Sequence, residues 1–226
     1  MNLFYELQNA VLSDLTAGSE STLFDLGTVR RAVNRAYVKA AGLFRWPETE
    51  DAKKTSSQLG IDYYDYPQTW RPDSIWKLTL DDVDFGDPLS FKDYLYEVEN
   101  DMPSGKERIW ANQWRRYFLH PAPTAAGDYN IVVWGQMAVE DMVEDEDITI
   151  WSYSMPECNE ALVLEAVAIL KKKGEDVKVT KTGGTIGDML SMEAKQILSI
   201  AWGKIREEQD RAKSTQPEFD IPDFFE

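Results

Sequence analysis

Hydrophobic positions along this chain follow two different periods. Near both ends they recur every three or four residues, as on one face of a helix; in the middle they alternate or cluster between turn residues. The opening "MNLFYELQNAVLSDL" puts Leu3, Leu7, Ala10 and Val11 on one face, which predicts a short helix. The stretch "TVRRAVNRAYVKAAGLFRW" predicts a second, with Val29, Ala32, Val33, Ala36, Tyr37 and Ala40 as its apolar stripe and Thr28 as its cap.

From Ile61 to Gly135 the helical period lapses. Ser74 to Leu80 reads as a strand, with Ile75 and Lys77 on one face and Trp76 and Leu78 on the other. "PLSFKDYLYEVEND" interrupts with a short helix capped by Ser90, because Phe91, Tyr94, Leu95 and Val98 share one face. "ERIWANQ", "RRYFLH" and "YNIVVWG" predict three strands, the last two joined by "PAPTAAGD".

Helical spacing returns in "SMPECNEALVLEAVAILKKKG". Ser154 and Glu157 fit a capping box, Pro156 suits the first turn, and Lys171, Lys172 and Lys173 complement the helix dipole ahead of Gly174. After "EDVKVTKTGGTIG" a long helix runs from Asp188 to about Lys213, with Leu190, Ala194, Ile197, Ala201 and Ile205 inward. The pattern predicts an α+β fold. N-terminal helices (1–58) and C-terminal helices (137–213) build a helical bundle core, residues 59–136 form an inserted antiparallel β-rich module, and 214–226 form an extended tail.

Composition narrows the function. The 226 residues carry a net charge of −16, which argues against tight non-specific binding to phosphates. The single cysteine, Cys158, allows no intramolecular disulfide and no cysteine-built zinc site, and fits a reduced, intracellular setting. No apolar run approaches the ~20 residues of a membrane span, and the N-terminus lacks the features of a signal peptide. Against the acidic background, Arg30, Arg31, Arg35 and Lys39 stand off the apolar stripe with no acid among them. They read either as a solvated face or as a basic ridge that meets an acidic surface on a neighbouring copy.

Candidate chemistry is sparse. His120, the one histidine, lies between Leu119 and Pro121, and only Asp128 across the hairpin offers it a carboxylate. Cys158 sits in the first turn of a helix, where the dipole lowers a thiol pKa, but it reads better as a half-buried packing residue. "TKTGGTIGD" lacks the spacing of a phosphate-binding loop. "DDVDFGD" and "EDMVEDED" lack the order of a calcium loop and read as solvated acidic surface. No catalytic, cofactor-binding or metal-binding residue emerges, and no cofactor is expected. Paired carboxylates of a carbohydrate-active enzyme stay open as an alternative, since acids are plentiful and aromatics stack on sugars. The tail "STQPEFDIPDFFE" keeps Phe219, Ile221, Phe224 and Phe225 beside Pro222, where a solvated end is normally poor in large apolars. Buried in a partner, each phenylalanine contributes about 2 kcal/mol.

The order of these pieces resembles the head-to-tail adaptor (connector, head-completion) proteins of tailed bacteriophages. The likeness runs from "TVRRAVNRAYVKAAGLFRW" through "YDYPQTWRPDSIWKL" and "RRYFLHPAPTAAGDYNIVVWG" to "SMPECNEALVLEAVAIL". It implies a non-enzymatic structural protein of the virion, located at the capsid–tail junction and in the host cytoplasm during assembly. Such proteins form a ring, commonly of twelve copies, beneath the portal protein; the ring prolongs the DNA channel without binding DNA specifically and offers a surface to tail or nozzle components. The resemblance makes the tail residues Phe219, Ile221, Pro222, Phe224 and Phe225 candidates for portal docking, and Arg30, Arg31, Arg35 and Lys39 candidates for contacts between subunits. It also makes His120, Pro121 and Pro123 candidates for partner contact at the tip of a strand pair. A phage tail or host-surface carbohydrate-binding module, reading sugars through the aromatic middle, is the alternative.

Overall fold

A computed structural model describes residues 3–16, 24–102, 104–173 and 185–214. The fold is α+β. In chain order the elements are α1 (Phe4–Thr16), α2 (Leu26–Ala41), β1 (Glu50–Ser57), β2 (Tyr63–Asp65), β3 (Lys77–Leu80) and β4 (Val83–Asp84). They continue with α3 (Phe91–Glu99), β5 (Ile109–Gln113), β6 (Arg116–His120), β7 (Gly127–Gln136), α4 (Glu157–Lys173) and α5 (Ile186–Ser214). The chain divides into two compact units, one of residues 1–44 and 141–226, the other of 45–140.

The first unit is helical. In it α4 packs against α1, α2 and α5. The stripe foreseen on α2 is buried throughout: Val29, Ala32, Val33, Ala36, Tyr37 and Ala40, joined by Ala41. On α4 the buried set includes Cys158, Ala161, Leu162, Ala166, Val167 and Leu170, and on α5 Ala194, Leu198, Ala201 and Ile205. The alanines let helix backbones approach closely, so side-chain volume is set by the leucines and valines between them. Cys158 is fully buried, not half-buried. The cap of α2 is Asp25, not Thr28: its carboxylate accepts the Thr28 amide at 2.7 Å. The helix therefore starts earlier, at Leu26–Gly27, and Thr28 sits in its first turn. At α5 the Thr185 hydroxyl accepts from the Asp188 amide at 3.1 Å, and Asp188 accepts from the Thr185 amide at 3.2 Å, a reciprocal cap.

The second unit holds two antiparallel sheets, in the orders β1-β7-β3-β4 and β2-β6-β5. Its core draws on both: Leu78, Ile131 and Val133 from the first, Tyr64, Trp110, Tyr117 and Leu119 from the second, with Tyr66, Trp70, Ile75 and Phe85 between. Gly135 is required here, because a Cβ would meet the Trp70 ring at 2.3 Å. Helix α3, capped by Ser90 as anticipated, lays Tyr94, Phe91 and Val98 against Ile109, Ala111 and Phe118 on the outer face of the second sheet.

Three expectations are corrected. The unit begins at residue 45, not 59, because "EDAKKTSS" is strand β1, paired with β7 from Glu50 opposite Gln136 to Ser57 opposite Gly127. It is an edge strand with few apolar residues, so hydrophobic pattern does not reveal it. The strand at 74–80 starts only at Lys77; Ile75 precedes it and is buried, while Lys77 is exposed and Leu78 is buried. Finally, β6 and β7 are not a strand pair. They belong to different sheets, so "PAPTAAGD" crosses from one to the other and is no hairpin tip.

Candidate functional site

Both units carry surfaces with the character of an interface, two on the helical unit and one on the β unit. In the helical unit the four basic residues of α2 separate into two kinds. Arg30 bonds Asp145 at 2.8 Å and the Val143 carbonyl at 2.9 Å, and lies 5.2 Å from the centre of the Phe4 ring. Lys39 is ion-paired with the buried carboxylate of Glu165, whose other oxygen accepts from the Ser191 hydroxyl at 2.6 Å. Both cations therefore bind their own chain. Arg31 bonds the Thr28 hydroxyl at 2.9 Å and its charge acts on the Asp25 carboxylate, while Arg35 has no ion pair among the described residues. With the exposed Val38 they form an outward stripe at i, i+4 and i+7.

The same unit has an open groove of about 670 Å³ between α1, α4 and α5. Leu7, Ala10, Val163, Leu164 and Ile197 make its floor; Glu6, Asp14, Glu160 and Glu193 stand around it. None of these four carboxylates is ion-paired among the described residues. Asn159 also lines the groove: its Oδ1 accepts from the Thr149 hydroxyl at 2.7 Å, while its Nδ2 is buried without a partner.

In the β unit the outer face of the second sheet is covered by α3 only at the end near Ile109 and Ala111. At the other end the two-residue turn Trp114–Arg115 joins β5 to β6, closing the Gln113–Arg116 pair. Trp114 has φ 61° and is 77% exposed. Turn positions with positive φ favour Gly, Asn or Asp; a tryptophan there is strained and leaves its ring in water. Beside it Arg116 bonds Asp65 at 3.0 Å and lies 5.0 Å from the centre of the Tyr63 ring. Asp65, Gln113, Trp114, Arg116 and Phe118 line a shallow concavity of about 600 Å³. Sequence reasoning missed this site. The signal was present in "NQWRR", where an aromatic stands in a tight turn between two strands.

The loop residues fare differently from what was foreseen. His120 ends β6 opposite Ile109 and is half-buried. Pro123 is buried and its carbonyl accepts from the Gly60 amide at 2.9 Å, so it serves the fold rather than a partner. Pro121 is exposed. Acidic residues in the two clusters are engaged locally. Asp84 accepts from the Gly86 amide, Asp81 from Asn130, and Asp147 from the amides of Val143 and Glu144. Among the described residues no group of three His, Cys, Asp or Glu side chains is placed to hold a metal ion. The tail candidates Phe219, Ile221, Pro222, Phe224 and Phe225 lie outside the described residues.

No protein-family model and no curated protein matches the chain. Among the described residues no helix is long and apolar enough to cross a membrane.

Proposed function

We propose that this protein is a head-to-tail adaptor of a tailed bacteriophage: a non-enzymatic ring component that joins the portal to the tail, extends the DNA channel and is located in the virion. The observation that carries the reading is the arrangement of the chain. Both ends build one helical unit, and the middle forms a separate β-rich unit inserted between α2 and α4. That is the order of pieces on which the resemblance rests. A ring needs two unlike self-contact surfaces on each copy and a further surface for its neighbours, and the strained, exposed Trp114 tip suits such a partner contact, since Trp, Tyr and Arg dominate binding hot spots. The charge of −16 suits a channel that DNA passes without sticking.

The test is the native mass of complexes recovered from infected cells with a tagged copy, beside a copy truncated before Gln216. The adaptor reading expects a larger phage protein in ring-like copy number, lost on truncation if the tail docks it. A lone monomer without a large partner overturns the reading.

A second reading, a glycan-binding module, is favoured by one observation. Trp114 offers a bare ring beside Asp65, Gln113 and Arg116, a set that stacks on a sugar and bonds its hydroxyls. It expects residues 45–140 to bind glycans, and that binding to vanish in Trp114→Ala.

A further inference from the structure

The helical unit carries two unlike surfaces, and we infer that they are the two halves of one contact: the Arg31–Arg35–Val38 stripe of one copy seats in the acidic groove of the next. The inference rests on the adaptor reading for its biological role but on the geometry for its surfaces.

Two observations carry it. First, the surfaces complement each other. The groove has an apolar floor ringed by Glu6, Asp14, Glu160 and Glu193, none ion-paired among the described residues. The stripe presents Arg35 without an ion pair among the described residues, Arg31 beside the Asp25 carboxylate at the helix start, and an exposed Val38 on one helix face. Two chains of charge −16 repel each other at long range, so contact must fall where the local signs differ. Second, the two surfaces face apart. Glu160 lines the groove, and Ile169 lies beside Arg35 and Lys39 on the other side of α4. Nine residues separate 160 from 169, about two and a half helical turns, so the two positions project oppositely. A patch that meets a different patch on the opposite side gives head-to-tail association, which closes into a ring when the rotation permits.

The occupant is a second copy rather than this chain's own tail. The tail carries Glu218, Asp220, Asp223 and Glu226 and no lysine or arginine after Lys213, so the four carboxylates of the groove repel it.

The experiment is sedimentation velocity of the full chain over a concentration series up to about millimolar, a range that reads affinities down to about 4 kcal/mol of binding. Five forms are compared: wild type, Arg35→Glu, Glu160→Arg, both changes in one chain, and a copy truncated before Gln216. Both residues are exposed, and circular dichroism checks that each variant keeps its fold. Wild type should associate. Each single reversal should weaken association by about tenfold or more, and the double change should recover about threefold or more of the loss. Singles that associate like wild type, or a double variant no better than the singles, overturn the inference while leaving the adaptor reading intact. A wild type that stays monomeric overturns it too, and the adaptor reading is then decided by the recovered complexes alone. If truncation before Gln216 abolishes association, the tail is the occupant and the inference fails.

Discussion

The two units of this protein solve the same packing problem with opposite materials. The helical unit closes around small residues: Ala32, Ala36 and Ala40 on α2, Ala161 and Ala166 on α4, Ala194 and Ala201 on α5. Helices lined with alanine slide easily past one another, and polar clips at the rim fix their register. Lys39 with Glu165 and Ser191, Lys172 with Asp188 at 2.8 Å, and Lys204 with Glu157 at 2.9 Å are those clips. The β unit has short strands with little area each, and fills the space between its sheets with rings: Tyr64, Tyr66, Trp70, Phe85, Trp110 and Tyr117. Its register comes from ladders and from ring polar groups tied to backbone, such as Trp110 Nε1 to the Gly86 carbonyl at 2.6 Å. The β unit is therefore held by ring volume with polar ring groups bound to backbone, the helical unit by close backbones with charges.

That contrast breaks most sharply at Trp110, which is fully buried. Trp110→Ala removes the ring and orphans the Gly86 carbonyl. It should destabilise the β unit by about 3–5 kcal/mol, read by urea unfolding. The corresponding clip in the helical unit is Glu165, which is 5% exposed. Glu165→Ala leaves the Ser191 hydroxyl without its acceptor and should cost about 2–3 kcal/mol; Glu165→Gln, which keeps that acceptor, should lose less. Equal losses in the two Glu165 variants would mean that the Lys39 charge pair, not the Ser191 bond, holds α2, α4 and α5 in register.

The most strongly shifted groups of the two units lie at opposite ends of the pH scale. Burial pushes the Tyr117 and Tyr94 hydroxyls up to about 12, and raises Tyr66 as well. A group whose folded pKa is raised stabilises fully below its unfolded value, here ~10, and loses that contribution as pH climbs toward 12. Each of Tyr117 and Tyr94 should remove on the order of 1–2 kcal/mol by pH 11. In the helical unit Tyr37 is also raised by burial, but Asp188 points the other way. The Lys172 ammonium, then the Thr185 hydroxyl and amide, lower its carboxyl to about 2. That contribution is complete above the ordinary carboxylate pKa of ~4 and disappears as pH falls through about 2. Melting followed at 222 nm and by aromatic absorbance across both limits should separate acid loss of the α4–α5 clip from alkaline loss of the β core.

The same contrast explains what the sequence made legible. Helix faces repeat locally, so the α2 stripe and the α5 inner face (Ala194, Ala201 and Ile205) could be read from spacing alone. Sheet membership depends on partners far away in the chain. Nothing in "RRYFLHPAPTAAGDYNIVVWG" says that its two strands pair with β2 and β5 on one side and with β1 and β3 on the other. Strand β1 escaped because "EDAKKTSS" is polar on both faces and is recruited by backbone bonds to β7. At the candidate surfaces the basic residues of α2 were visible. That Arg30 and Lys39 turn to Asp145 and Glu165 was not, since those acids lie over a hundred residues away. The Trp114 tip was overlooked for a related reason: a turn residue matters by its φ and exposure, neither of which composition carries.

Trp114 gives the smallest expected change in stability and the only one of opposite sign. Its φ of 61° is unfavourable for a bulky side chain, and its ring is exposed, so the fold gains nothing evident from it. Asparagine tolerates this backbone region through local side-chain bonding. Trp114→Asn should therefore leave stability unchanged or raise it by up to about 1 kcal/mol, read as a small upward shift in melting temperature. Under the adaptor reading the same substitution should reduce recovery of the neighbouring phage component, because the ring is kept in a strained turn for contact and not for folding. If Trp114→Asn instead destabilises the β unit by more than about 1 kcal/mol, the ring belongs to the fold and the outer face of the second sheet ceases to be a candidate interface.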